Sequence, residues 1–211
     1  MSPLEELLAL DGAKFDEAID SLPAWLKNAV CDQLDLPADD HDNPLWDKAY
    51  KLRLAAAREG DPRASVFLFR LVMAACPENS SLALTNLIRE AEAGCTQAMM
   101  ALGDYYYNDK SYNKAVNWFK KAVEKGDDEM AYCDLGYCYM RGEGVAQDVN
   151  EARRLFQIAI DRFDSAEAMY QMVTSYNYLA VVKDSTIIGY LQRAAEKGHK
   201  LAVEYALIIF R

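Results

Sequence analysis

Apolar residues in this chain fall at helical intervals almost throughout, and the breaks between runs carry helix start and stop residues. Ser2-Pro3 with Glu5 and Glu6 behind it opens a first helix that closes near Asp11-Gly12. Phe15, Ala18, Ile19 and Leu22 stripe a second helix over 14–21. Pro23 opens a third, along which Trp25, Leu26, Ala29, Val30 and Leu34 recur. The segment Leu36 to Pro44, with two prolines and four acidic or histidine positions in succession (Asp39 to Asp42), reads as a linker. Beyond it, Leu45, Trp46, Ala49, Leu52 and Ala56 predict a helix to Glu59. Pro62 starts another that reaches Cys76 and is stopped by Pro77, and Ser80 or Ser81 caps one that ends before Gly94. No segment alternates with period two, so no sheet is expected.

These helices are organised in a repeat. Gly60-Asp61, Gly94-Cys95, Gly126-Asp127 and Gly198-His199 mark helix ends, with steps of 34, 32 and 72 residues; the last covers two units around a degenerate landmark at Phe163-Asp164. A period of this size is the signature of stacked helical hairpins, each burying its apolar face on its neighbours. From Thr96 onward the grammar is explicit. A glycine, Gly103 or Gly136, sits inside the first helix of a pair, with Tyr106 or Tyr139 three residues later at a core position that Tyr176 shares. Ala115/Phe119/Ala122 and Ala152/Phe156/Ala159 stripe the second helices. Glycine inside a helix costs about 1 kcal/mol relative to alanine, so its use there predicts close helix packing.

The segments Ala131–Gly136–Tyr139, Gly142-Glu143-Gly144-Val145 with Asp148, and Ala152–Ala159 resemble the Sel-one-like repeat family, a subclass of tetratricopeptide-like helical hairpins. The unit 98–126 resembles it in both helices but has a short Asp109-Lys110-Ser111 turn. The unit 168–198 departs further, with Val173 for the glycine and 181–184 for the loop. The resemblance covers about two thirds of the chain and is strong over 96–160; residues 1–43 have no match. It implies an all-α, right-handed α-solenoid of such hairpins with an N-terminal helical extension or cap. The expected division is an acidic helical region 1–43 and a repeat region 44–211. It also implies adaptor or scaffold work on the concave surface lined by the first helix of each pair.

Charge sharpens this division. Residues 1–47 hold 12 acidic and 2 basic side chains, whereas 48–211 hold 21 of each, so the whole −10 balance sits at the N-terminal end. Such a chain lacks the basic footprint of a nucleic-acid binder and the polybasic patch of a peripheral membrane protein. No apolar run of 18 residues suggests a membrane span, and the N-terminal residues lack a secretory pattern, so a cytoplasmic location is expected. Cys31, Cys76, Cys95, Cys133 and Cys138 are irregularly spaced and read as reduced, buried thiols. With two histidines, His41 and His199, no nucleophile–base pair, metal set or phosphate loop can be assembled. No cofactor and no enzymatic activity are expected.

What remains is surface. Alignment on Gly103, Gly136 and Val173 places Gln97, Met100, Asp104, Tyr107 and Asn108 on the inner face of one first helix. The same offsets give Met130, Cys133, Tyr137, Met140 and Arg141, then Glu167, Tyr170, Thr174, Asn177 and Tyr178. Tyrosine, methionine and arginine are favoured at interface centres, so Met100, Asp104, Tyr107, Asn108, Tyr137, Met140, Arg141, Tyr170, Asn177 and Tyr178 are candidate contacts for a protein or peptide partner. The alternative is a dedicated inhibitor, such as a toxin-neutralising immunity protein, steered onto a basic enzyme by Asp35, Asp39, Asp40 and Asp42. The apolar run Leu201 to Phe210 lacks a polar outer face and is a candidate homodimer contact.

Overall fold

The computed structural model describes residues 2–34, 45–59, 61–75, 80–176, 181 and 183–210, and thirteen helices lie within them, with no strand among the described residues. The chain forms two compact units, Met1–Leu102 and Gly103–Arg211, which divide within one helix.

The first unit holds α1 (Pro3–Ala9), α2 (Gly12–Asp20), α3 (Ala24–Leu34), α4 (Trp46–Arg58), α5 (Pro62–Ala75), α6 (Ser80–Glu92) and the start of α7 (Thr96–Asn108). Ser2 and Glu5 close a reciprocal capping box on α1. Phe15 and Ile19 of α2, Val30 and Cys31 of α3, and Ala49 and Leu52 of α4 form one core, so helices on both sides of 35–44 share it. Part of the excess acid of the N-terminal helices is met by lysines of α4. Lys48 Nζ donates to the carbonyls of Leu8 and Leu10 at 2.6 and 2.7 Å and pairs with Asp11, and Lys51 pairs with Asp16 at 3.0 Å. Lys27 is fully buried against Glu59. Cations at the carbonyl end of α1 also complement its dipole.

The second unit holds the end of α7, α8 (Tyr112–Lys125), α9 (Glu129–Arg141), α10 (Val149–Phe163), α11 (Ala166–Thr174), α12 (Ser185–Glu196) and α13 (Lys200–Ile209). Within it α8 packs on α9, α9 on α10, α10 on α11, α11 on α12 and α12 on α13. The in-helix glycines do what the sequence predicts. A Cβ on Gly103 would stand 2.2 Å from Phe119 Cε1, and one on Gly136 would stand 2.5 Å from Phe156 Cε1. The ring of each second helix therefore lies directly against the backbone of its partner, in the space a side chain would fill. Burying a phenylalanine is worth about 1.5–3 kcal/mol, more than the roughly 1 kcal/mol of helix propensity given up by the glycine. In the third pair the volumes are exchanged: Val173 replaces the glycine, Leu191 replaces the phenylalanine, and both are fully buried. Burial of the position is kept while the individual residues are not.

The turns are set by short-range chemistry. Asp128, Asp148 and Asp184 cap α9, α10 and α12 by accepting backbone N–H bonds, and Ser165 caps α11. Gly126 ends α8 in the left-handed region, and the degenerate landmark behaves alike, with Asp164 at φ 53°. That strained aspartate is held by Arg193 at 2.5 Å and Lys197 at 2.7 Å, which also keep its carboxyl below the usual range. The tyrosines expected in the core are only half-buried. Lys114, Lys120 and Arg153 lie over the rings of Tyr106, Tyr139 and Tyr176, so each half-buried ring carries a cation.

Candidate functional site

In the second unit the first helices of three successive pairs enclose a hollow of about 340 Å³. The end of α7 contributes Asp104 and Tyr107, α9 contributes Cys133, Asp134 and Tyr137, and α11 contributes Glu167 and Gln171. Phe119 of α8 also lines it. Phe119 reaches this position because Gly103, against which its ring rests, offers no side chain in the way.

One rim is built by the Gly142-Glu143-Gly144 loop. Gly142 and Gly144 both have φ 75°, and a Cβ on Gly144 would stand 2.4 Å from the carbonyl oxygen of Tyr112. The loop thus folds directly onto the start of α8 and carries Glu143 to Tyr107, whose hydroxyl donates to Glu143 Oε2. Burial and that carboxylate push the Tyr107 phenol above its ordinary pKa. Arg141 pairs with Glu143 at 3.5 Å and lies 5.8 Å over the ring of Tyr137, itself edge-on to Tyr107 with centroids 6.4 Å apart.

The opposite side is held by Glu167. His199 accepts the backbone N–H of Ala202 at Nδ1, capping α13, so Nε2 carries the proton and donates to Glu167 Oε2 at 2.8 Å. Gln171 donates to the other carboxylate oxygen at 2.7 Å, and Tyr170 stacks on the His199 ring at 4.6 Å. Between these walls lies Asp134. Burial, then the charges of Asp104, Glu167 and Asp128, raise its pKa to about 7, and it has no ion-pair partner among the described residues. Burial pushes the neighbouring Cys133 thiol up to about 12, despite its contact with Ser165, and it is protonated at neutral pH. Among the described residues no three His, Cys, Asp or Glu side chains gather closely enough to hold a metal ion, although three carboxylates border one hollow. The arrangement offers spread hydrogen-bond acceptors and aromatic faces.

Of the candidate contacts, Asp104, Tyr107 and Tyr137 are brought together here, along with Cys133 and Glu167 of the inner-face stripes. Arg141 is exposed at the rim, Asn108 is exposed, and Met140 and Tyr170 are half-buried. Met100 falls in the first unit and is buried at 8% exposure. Asn177 and Tyr178, and the acidic set Asp35, Asp39, Asp40 and Asp42, lie outside the described residues. Asp134 and Gln171, which sequence reading missed, both stand two residues before the reference position, Gly136 or Val173. A stripe drawn at that offset would have found them.

The described helices include none long and apolar enough to cross a membrane. Comparison with known proteins matches the Sel1 repeat model at residues 96–127, 129–162 and 188–199. Protein sel-1 homolog 2 of Rattus norvegicus is 36% identical over 75 residues, which are 34% of this chain and 11% of that protein. The ERAD-associated E3 ubiquitin-protein ligase component HRD3 of Candida glabrata is 32% identical over 79 residues, 37% of this chain and 9% of that protein. The chain therefore spans about a tenth of the length of these curated relatives. Among solved structures, a Sel1 repeat protein from Oxalobacter formigenes superposes with TM-score 0.66 at 23% identity, over 94% of this chain and 86% of that one. The protein c5321, a protective antigen of uropathogenic Escherichia coli with an SLR fold, gives 0.59 at 22% identity, over 88% and 44%. These likenesses establish the all-α helical-repeat fold.

Proposed function

Since this chain belongs, through residues 96–127, 129–162 and 188–199, to the Sel1 repeat family, we propose that it is a non-catalytic interaction module whose hollow between α7, α9 and α11 receives a protein or peptide partner. Proteins built of these repeats are generally interaction scaffolds. The observation that carries the reading is the convergence of three first helices on one concavity, with half-buried tyrosine rings at its edge. Rings of this kind bring large contact area with little conformational entropy to lose, which is why they dominate interface energetics. The glycine loop supports the same reading, because it is shaped to hold Glu143 against Tyr107 and so fixes one ring before any partner arrives.

The test is alanine at Tyr107 and Tyr137, singly and together. Partners captured by the wild-type chain should be lost, by tenfold or more in affinity for each ring if these are anchor residues. Helix content and the unfolding midpoint of the variants must be followed alongside. Variants that stay folded and keep every partner place the interface elsewhere.

A further inference from the structure

We propose that the occupant of the hollow is the side chain of an arginine on the partner polypeptide, its guanidinium lodged among Asp104, Asp134 and Glu167 with the rings of Tyr107 and Tyr137 beside it. The inference rests on the interaction-module reading and names the chemistry of what binds there. A volume of about 340 Å³ is many times the roughly 30 Å³ share of one water, so the hollow admits a side chain. Charge complementarity selects which one. Three helices each bring a carboxylate to the same space, and the interior one, Asp134, is surrounded by like charge with no described cation of its own. A cation entering there relieves a repulsion already built into the fold.

The spread of the acids decides between cations. They are not gathered as a metal site would be, so a bare ion would reach only one of them at a time. A guanidinium carries five N–H donors in a planar fork and reaches separated acceptors at once, and its faces stack on aromatic rings. The chain's own Arg141 shows that the outer part of this aromatic pair tolerates a guanidinium, lying over Tyr137 while ion-paired with Glu143 at the rim. A lysine ammonium, a compact point charge, uses less of this geometry.

The experiment is an amide NMR titration of the full chain with N-acetyl-arginine methylamide, in parallel with the citrulline, lysine and free arginine counterparts. The shifts expected with the arginine probe cluster on α7 beyond Gly103, α9 and α11. Citrulline keeps the planar shape without the charge and is expected to be silent, with lysine weaker than arginine. Asp134→Asn, and separately Asp104→Asn, should each weaken arginine about tenfold, the worth of one charge-assisted hydrogen bond. Because Asp104 is exposed, its variant gives a readout that does not depend on the core. If citrulline shifts the same residues equally, recognition is not by charge: this inference falls while the hollow remains an interface. Tighter binding of free arginine than of the capped form would make the occupant a metabolite and overturn the peptide assignment. Lysine binding more tightly than arginine, or no shift in the hollow with any probe, also overturns it, whatever the Tyr107 and Tyr137 variants do to partner capture.

Discussion

Asp134→Asn should stabilise this protein above neutral pH while impairing binding. In the folded chain the Asp134 carboxyl has a pKa of about 7, against an ordinary 3.8, because it is buried and faces Asp104, Glu167 and Asp128 from α7, α11 and the cap of α9. The folded state therefore holds this proton more tightly than the unfolded state does. The group's contribution is fully favourable below pH 4 and is lost as pH rises through 7, since stability falls with pH wherever the folded state binds more protons. A shift of about three units at 1.36 kcal/mol each bounds the loss at roughly 4 kcal/mol. Asparagine fills the same space and never ionises. In urea unfolding, the stability of the variant relative to wild type should thus be small at pH 4 and grow to a few kcal/mol by pH 8, then level off. A difference that does not change with pH, or a wild type that is the more stable at pH 8, would refute the reasoning. The charge kept at neutral pH at the expense of stability is the one the bound guanidinium would use.

The packing and loop arguments make further predictions. Gly136→Ala should destabilise by about 1–3 kcal/mol through the clash with Phe156, despite alanine's better helix propensity, as read from the urea midpoint. Gly136→Val with Phe156→Leu, which copies the Val173 and Leu191 pairing, should recover much of the loss of the single Gly136→Val change in a double-mutant cycle. Gly144→Ala should cost at least about 1–2 kcal/mol, from the left-handed backbone and from contact with the Tyr112 carbonyl, with a changed tyrosine near-ultraviolet signal as Glu143 leaves Tyr107. On α13 and its C-cap, Leu201, Leu207, Ile208 and Phe210 are each more than half exposed, and self-association through these residues should appear as concentration-dependent sedimentation that Leu207→Ser with Ile208→Ser abolishes. A chain that sediments as a monomer at every concentration removes that contact.

The helical frame was legible because its causes are local. Caps at Ser2, Asp128 and Asp148, the left-handed ends at Gly126 and Gly198, and the apolar stripes of the second helices can all be read within a few residues. Even the close approach at Gly103 and Gly136 was visible, as a propensity cost that packing had to offset. The hollow was legible in part. Offsets from the glycine found Asp104, Tyr107 and Tyr137, since a helix face is a periodic object. Asp134 and Gln171 escaped because they lie beside that stripe, where only the neighbouring hairpin decides whether a residue faces the partner side or the packing side. Phe119 escaped because it belongs to a second helix and arrives through a gap left by a missing side chain. The half-burial of Tyr106, Tyr139 and Tyr176 depends on lysines and an arginine from second helices, which no single-helix pattern contains.

Site-specific photocrosslinking tests the central claim most directly. A benzophenone side chain would replace Gln171 in the hollow or Asn108, next in sequence to the lining residue Tyr107, and, as control, Asn117 on the exposed side of α8, with the full chain exposed to its source-cell extract. The account predicts one polypeptide crosslinked from the hollow positions, competed by capped arginine and lost with Tyr137→Ala, and none from Asn117. Crosslinks confined to Asn117, or hollow crosslinks indifferent to both competitor and variant, would contradict it.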